Sequence, residues 1–95
     1  MLIGVAREQL DGENRTALMP ASVQKLVRAG AEVLIEAGSG LGAGYADAEY
    51  EAAGARISAD RREVLSRADL VLRLHKPSID EVAILKRGAI HVSYL

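Results

Sequence analysis

Leu70-Val71-Leu72-Arg73-Leu74 is an almost unbroken aliphatic run that stops abruptly at His75-Lys76-Pro77. It is too continuously apolar for a strand with one wet face and too short for a buried helix. It therefore predicts a strand covered on both faces of a parallel sheet. Pro77 lacks a backbone donor and disfavours helix at Lys76, so the chain must turn there. In open α/β sheets ligands sit outside the carboxyl ends of the strands, where His75 and Lys76 are delivered. On this reading Asp69–Pro77 is the central strand of the sheet, with chemistry at its tip.

The rest of the chain alternates in the same way. Met1–Ala6 reads as a short buried strand, and the polar stretch from Arg7 to Asn14, with its turn-favouring Asp11-Gly12, forms a loop that leads to Arg15. Pro20 suits a first helical turn, Val23, Leu26 and Val27 recur at helical spacing, and Gly30 stands where a terminator belongs, which predicts a helix over 20–29. Glu32–Glu36 is a second strand, followed by the glycine-rich stretch Gly38–Gly44. Asp47 is placed to cap a helix to Ala53, with Tyr50 on its inner face and Gly54 as its stop. Residues 55–57 form a weak third strand, and Asp60 caps a helix through Val64 and Leu65. Beyond Pro77, Ser78 or Asp80 starts a helix with Val82, Ile84 and Leu85, Gly88 ends it, and 89–95 is a last strand. Strands and helices alternate with no tandem strand pair. The fold class this predicts is α/β: an open, mostly parallel sheet with helices on both faces, a Rossmann/flavodoxin-like three-layer arrangement.

Composition removes several classes of function. The 95 residues make one small domain with an aliphatic core, since Phe and Trp are absent. A net charge of −1 with mixed signs offers no basic face for phosphate backbones, so no nucleic acid is expected as a partner. Cysteine is absent, which excludes disulfides and thiolate metal sites. His75 and His91 are far apart and lack spaced carboxylates, so no metal site is expected. The apolar start is far shorter than a membrane span of about 20 residues and lacks a basic leader, so the expected location is cytoplasmic. The last strand has nothing after it to cover it, and the chain reads as one that continues beyond Leu95.

Three places invite chemistry. Gly38, Gly40 and Ala43 satisfy a G-x-G-x-x-A pattern after a strand, which would seat a pyrophosphate on the next helix. Yet no acidic residue ends the following strand to hold a ribose, so the stretch reads as a turn. Arg15, in the loop after the first strand, is suited to grip a carboxylate through two parallel hydrogen bonds. His75 shares a face with Arg73 and Lys76 with Leu74, so the two tip residues point to opposite sides of the sheet. No nucleophile with an adjacent base is visible, and no catalytic residue is assigned.

Ile3-Gly4-Val5-Ala6-Arg7-Glu8, Glu13-Asn14-Arg15-Thr16-Ala17-Leu18-Met19-Pro20, Val23–Gly30, Val33–Gly44 and Tyr50–Ala55 together resemble the N-terminal domain shared by alanine dehydrogenase and the alpha subunit of proton-translocating NAD(P) transhydrogenase. The resemblance covers essentially the whole chain. It implies that residues 1–95 are the N-terminal portion of a two-domain protein whose NAD(H) is bound mainly by a following Rossmann domain, this domain forming the other wall of the cleft. It implies no cofactor-binding residue within this chain. In alanine dehydrogenase the arginine matching Arg15 binds the substrate carboxylate, and a lysine stands at the position of His75 in a lysine-glutamate-proline pattern. Here His75-Lys76-Pro77 is similar instead to the transhydrogenase pattern of a polar residue, a basic residue and proline. Arg15, His75 and Lys76 are thus the candidate cleft-lining residues.

The resemblance implies hydride transfer from NADH to NADP, coupled to proton translocation by membrane partner subunits that would hold the protein at the inner face of the membrane, together with homo-oligomerisation. An alanine dehydrogenase-like amino-acid oxidoreductase is the alternative. A non-catalytic docking or dimerisation module is the third.

Overall fold

A computed structural model of the chain describes residues 1–8, 16–74, 83–85 and 88–93. Within them the chain alternates strand and helix: β1 (Leu2–Val5), α1 (Pro20–Arg28), β2 (Glu32–Glu36), α2 (Asp47–Ala52), β3 (Arg56–Ser58), α3 (Arg61–Arg67), β4 (Leu70–Arg73) and β5 (Ile90–Ser93). A single 3₁₀ turn at Leu41–Ala43 lies between β2 and α2.

The strands form one parallel sheet in the order β3-β2-β1-β4-β5. The order follows from right-handed crossovers. The steps β1 to β2 to β3 run one way across the sheet, with α1 and α2 on one face. The return from β3 to β4 carries α3 over the other face. The α/β class, the parallel pairing and the helices on both faces are those expected from the sequence. The strand at the centre is not. β1, rather than β4, lies in the middle, with β2 on one side and β4 on the other. The aliphatic run of β4 reflects two covered faces, not a central position. Val71 is buried among Ala6, Leu65 and Ala68, while Leu70 and Leu72 pack on the opposite core.

Side-chain parity divides the core accordingly. Ile3, Val5, Val33 and Ile35 point toward α1 and α2, where they pack with Leu18, Val23 and Tyr50. Each fully buried aliphatic of this set contributes about 1.5–3 kcal/mol of transfer free energy. On the α3 face the residues of β1 are small. A methyl group added at Gly4 would lie 2.7 Å from the Ala68 Cβ and 3.1 Å from the Val64 carbonyl oxygen, so glycine is what lets α3 approach the central strand.

Local signals explain most boundaries. α1 begins at Pro20, carries Lys25 and Arg28 in its last turn, and is followed by Gly30 with φ 100°. The Asp60 side chain accepts the Arg62 amide at 3.0 Å and caps α3, as expected. Asp47 departs from its expected role. The cap position of α2 is Ala46, whose amide is taken by the Glu49 carboxylate at 2.8 Å, while Asp47 turns back to accept the Gly38 amide at 2.9 Å. At the amino end of the sheet Asp69 ties strands together. Its carboxylate accepts the Leu2 amide at 2.8 Å, its own amide reaches the Leu2 carbonyl at 2.8 Å, and its carbonyl accepts from Ile90 at 2.9 Å.

Candidate functional site

The order β3-β2-β1-β4-β5 reverses direction between β1 and β4. Neighbouring loops there leave on opposite faces, which makes the carboxyl ends of β1 and β4 the natural ligand crevice of an open α/β sheet. The sequence assigns this place to Arg15, His75 and Lys76. All three lie outside the described residues, as does Pro77. What the structure does define is the platform from which both loops depart: Ala6-Arg7-Glu8 after β1 and Leu74 after β4.

That platform is held by carboxylates. Glu36, at the end of β2, accepts the Arg7 amide at 2.8 Å and pairs with the Arg61 guanidinium at 3.1 Å. Arg61, in the first turn of α3, also donates to the Arg7 carbonyl at 2.7 Å. On the other side of β1, Glu8 accepts the Leu74 amide at 3.0 Å and lies 3.7 Å from the Arg73 guanidinium. The Arg73 and Glu8 side chains are only 4% and 5% exposed. A charge so deeply placed needs an opposite partner, and here the partner comes from the loop after β1.

Sequence reading does not single out Glu8, Glu36, Arg61 or Arg73 as functional. One signal is present: an arginine inside an otherwise aliphatic strand implies a buried carboxylate opposite it. Nothing local identifies that carboxylate as Glu8, because the two meet only through the sheet.

The glycine-rich stretch is built as a turn. Amides of Gly38, Ser39, Leu41, Ala43, Gly44 and Tyr45 are all engaged by internal acceptors, whereas a phosphate cradle needs its amides free. Asp47 and Glu49 place negative charge in the first turn of α2, which opposes an anion there. Close packing accounts for Gly40: a Cβ at that position would lie 2.5 Å from the Tyr50 ring and hydroxyl. Tyr50 is fully buried and donates to the Leu18 carbonyl at 2.8 Å. Burial is the main cause that pushes its phenol above the ordinary value of 10.0; Tyr45, Glu49 and Asp47 add to the shift and a Thr16 hydrogen bond opposes it. Among the described residues no group of His, Asp and Glu is arranged to hold a metal ion, and no helix is long and apolar enough to cross a membrane.

Residues 4–95 match the family model described as alanine dehydrogenase/PNT, N-terminal domain. The chain belongs to that family. Among family members, an alanine dehydrogenase of Methanococcus maripaludis is 44% identical over 95 residues, covering 100% of this chain and 26% of that enzyme. An NAD(P) transhydrogenase subunit alpha of Rhodospirillum rubrum is 40% identical over 100 aligned positions, covering 100% of this chain and 26% of the subunit. A transhydrogenase structure from Sinorhizobium meliloti superposes with a TM-score of 0.92 at 35% identity, over 100% of this chain and 27% of that one. The chain thus spans about a quarter of the length of the relatives it matches. Alanine dehydrogenase/PNT N-terminal domains therefore include both dehydrogenase and transhydrogenase relatives of this sequence.

Proposed function

We propose that the chain is the N-terminal domain of a two-domain, NAD(H)-binding oxidoreductase of the transhydrogenase alpha-subunit type. The observation that carries this reading is the sequence leaving β4 at the switch point. After Leu74 the chain continues His75-Lys76-Pro77, where the dehydrogenase pattern is lysine-glutamate-proline. Without that lysine the domain lacks the group that would hold a 2-oxo acid. Transhydrogenation does not need it: a hydride leaves the dihydronicotinamide of NADH with its bonding electron pair and forms the new C–H bond on the oxidised nicotinamide of NADP. The protein contributes alignment of the two rings and exclusion of water, with no acid or base in the step. On this reading NAD(H) sits chiefly on the following domain, this domain closes the other wall of the cleft, and membrane partner subunits couple transfer to proton movement. The isolated chain then binds NADH poorly.

A second reading, an alanine dehydrogenase in which Arg15 orients the 2-oxo acid carboxylate, is favoured by a specific observation. The Methanococcus enzyme aligns over 95 positions against the 95 residues of this chain, whereas the transhydrogenase subunit needs 100 and so has positions without a counterpart here. Two assays on the full-length protein separate the readings. NADH-dependent reduction of an NADP analogue, with no NADH oxidation driven by pyruvate and ammonia, is the expected result. The opposite pattern assigns the dehydrogenase. Calorimetric titration with NADH should give heat for the full-length protein and none for residues 1–95 alone; tight binding by the short chain would overturn the division of labour between the domains.

A further inference from the structure

Where a parallel ladder ends, the last amides still need acceptors. The ladder between β1 and β4 runs to Val5 and Leu72. Beyond it the Leu74 amide is taken by the Glu8 carboxylate rather than by a main-chain carbonyl. The other oxygen of the same carboxylate faces Arg73 at 3.7 Å. Glu8 therefore touches both the side chain of the last residue of β4 and the backbone of the residue after it. The amide of its neighbour Arg7 is held from β2 by Glu36, so the chain leaving β1 is anchored from both flanking strands.

We propose that Glu8 is a positioning residue of the switch-point cleft. Through the Leu74 amide and Arg73 it fixes where the chain leaves β4 relative to where it leaves β1. A carboxylate suits the task because its two oxygens accept from both groups at once, and the amide bond is strengthened by the charge. Burial excludes water that would otherwise compete for the Leu74 amide. The loops that continue from these two exits carry Arg15 and His75, so a shift of the Leu74 exit is transmitted by chain connectivity to the residues of the cleft. The catalytic side of this inference rests on the hydride-transfer reading above; the positioning side does not.

The test uses the full-length protein with Glu8→Met, which keeps the side-chain length and removes both acceptors, and Glu8→Gln, which keeps one. Amide hydrogen exchange should show protection at Leu74 reduced by about tenfold or more in Glu8→Met, with Val71 and Ile35 unchanged. Glu8→Gln should restore some of that protection. In whichever of the two oxidoreductase assays the unaltered protein is active, Glu8→Met should lower kcat by about tenfold while KM for NADH stays within about twofold. Should Glu8→Met not fold, Glu8→Met/Arg73→Met replaces the buried pair by apolar groups and should show the same loss at Leu74. Unchanged Leu74 protection overturns the positioning role, as does a loss spread evenly over β4. Unchanged kcat overturns its catalytic consequence. If the unaltered protein is inactive in both assays, the functional reading fails while the exchange result still decides for or against the role of Glu8.

Discussion

Gly40→Ala isolates one contact. The backbone at Gly40, φ −99° and ψ −2°, is one that alanine adopts, so the substitution carries no left-handed strain and its cost is steric. The new methyl would lie 2.5 Å from both Cε2 and the hydroxyl oxygen of Tyr50 and 2.9 Å from Cζ, against ordinary contacts of about 3.5–4.0 Å. The ring must retreat by about 1 Å, yet it is fully buried, its edge packs near Tyr45, and its hydroxyl is held 2.8 Å from the Leu18 carbonyl. Overpacking of this kind costs about 1–3 kcal/mol, and loosening the hydroxyl bond adds about 1 kcal/mol. Reduced freedom of the unfolded chain returns about 0.4–1 kcal/mol. The expected net effect is about 2 kcal/mol of destabilisation, or about 8–16 °C in Tm for a domain of this size. Urea unfolding followed by circular dichroism measures it. A Tyr50→Phe background should reduce the cost, since one clashing atom and the hydrogen bond are already gone. A change below about 0.5 kcal/mol, or full additivity of the two substitutions, would refute the packing account of Gly40.

On the opposite face Gly4→Ala should destabilise by about 1–3 kcal/mol, because Ala68 Cβ and the Val64 carbonyl cannot rotate away; Ala68→Gly in the same chain should recover most of the loss, read from urea midpoints. Burial raises the Tyr50 phenol above 10.0, so the folded state keeps its proton where the unfolded chain has already lost it. Stability from this group is intact below about pH 10 and falls as pH rises toward the folded value, by at most about 1.4 kcal/mol per pH unit. Tyr50→Phe should flatten that alkaline fall in thermal melts, and an equally steep fall in the variant would assign it elsewhere.

The elements of this fold are readable in the sequence because their signals are local. The bounds of β2 coincide with Glu32–Glu36, and the Asp60 cap acts where the sequence places it. The centre of the sheet is not readable, because aliphatic density reports how many faces are covered, whereas strand order follows from crossover hand. β1 carries Gly4 and Ala6 and so looks weaker than β4, yet those small residues are what bring α3 onto the middle of the sheet. Asp47 misleads for a related reason. A carboxylate near a helix start suits a cap, but the Gly38 amide competes for it across the turn. At the cleft, the residues named from sequence lie outside the described residues, while the pairing of Glu8 with Arg73 and Leu74 joins positions 66 apart for Leu74 and cannot be inferred from spacing.

The central place of β1 also sets a timetable for synthesis. Leu2 meets Asp69 across 67 positions, and translation proceeds at about 5–20 residues per second, so β1 waits roughly 3–13 s for its β4 partner. During that interval α1 and β2 can already shelter one edge and one face of β1, but its other edge stays open to any extended chain nearby. A ribosome that pauses before Asp69 lengthens this exposure, and a chaperone that recognises short aliphatic strands would find Leu2–Val5 its most persistent target in the nascent chain.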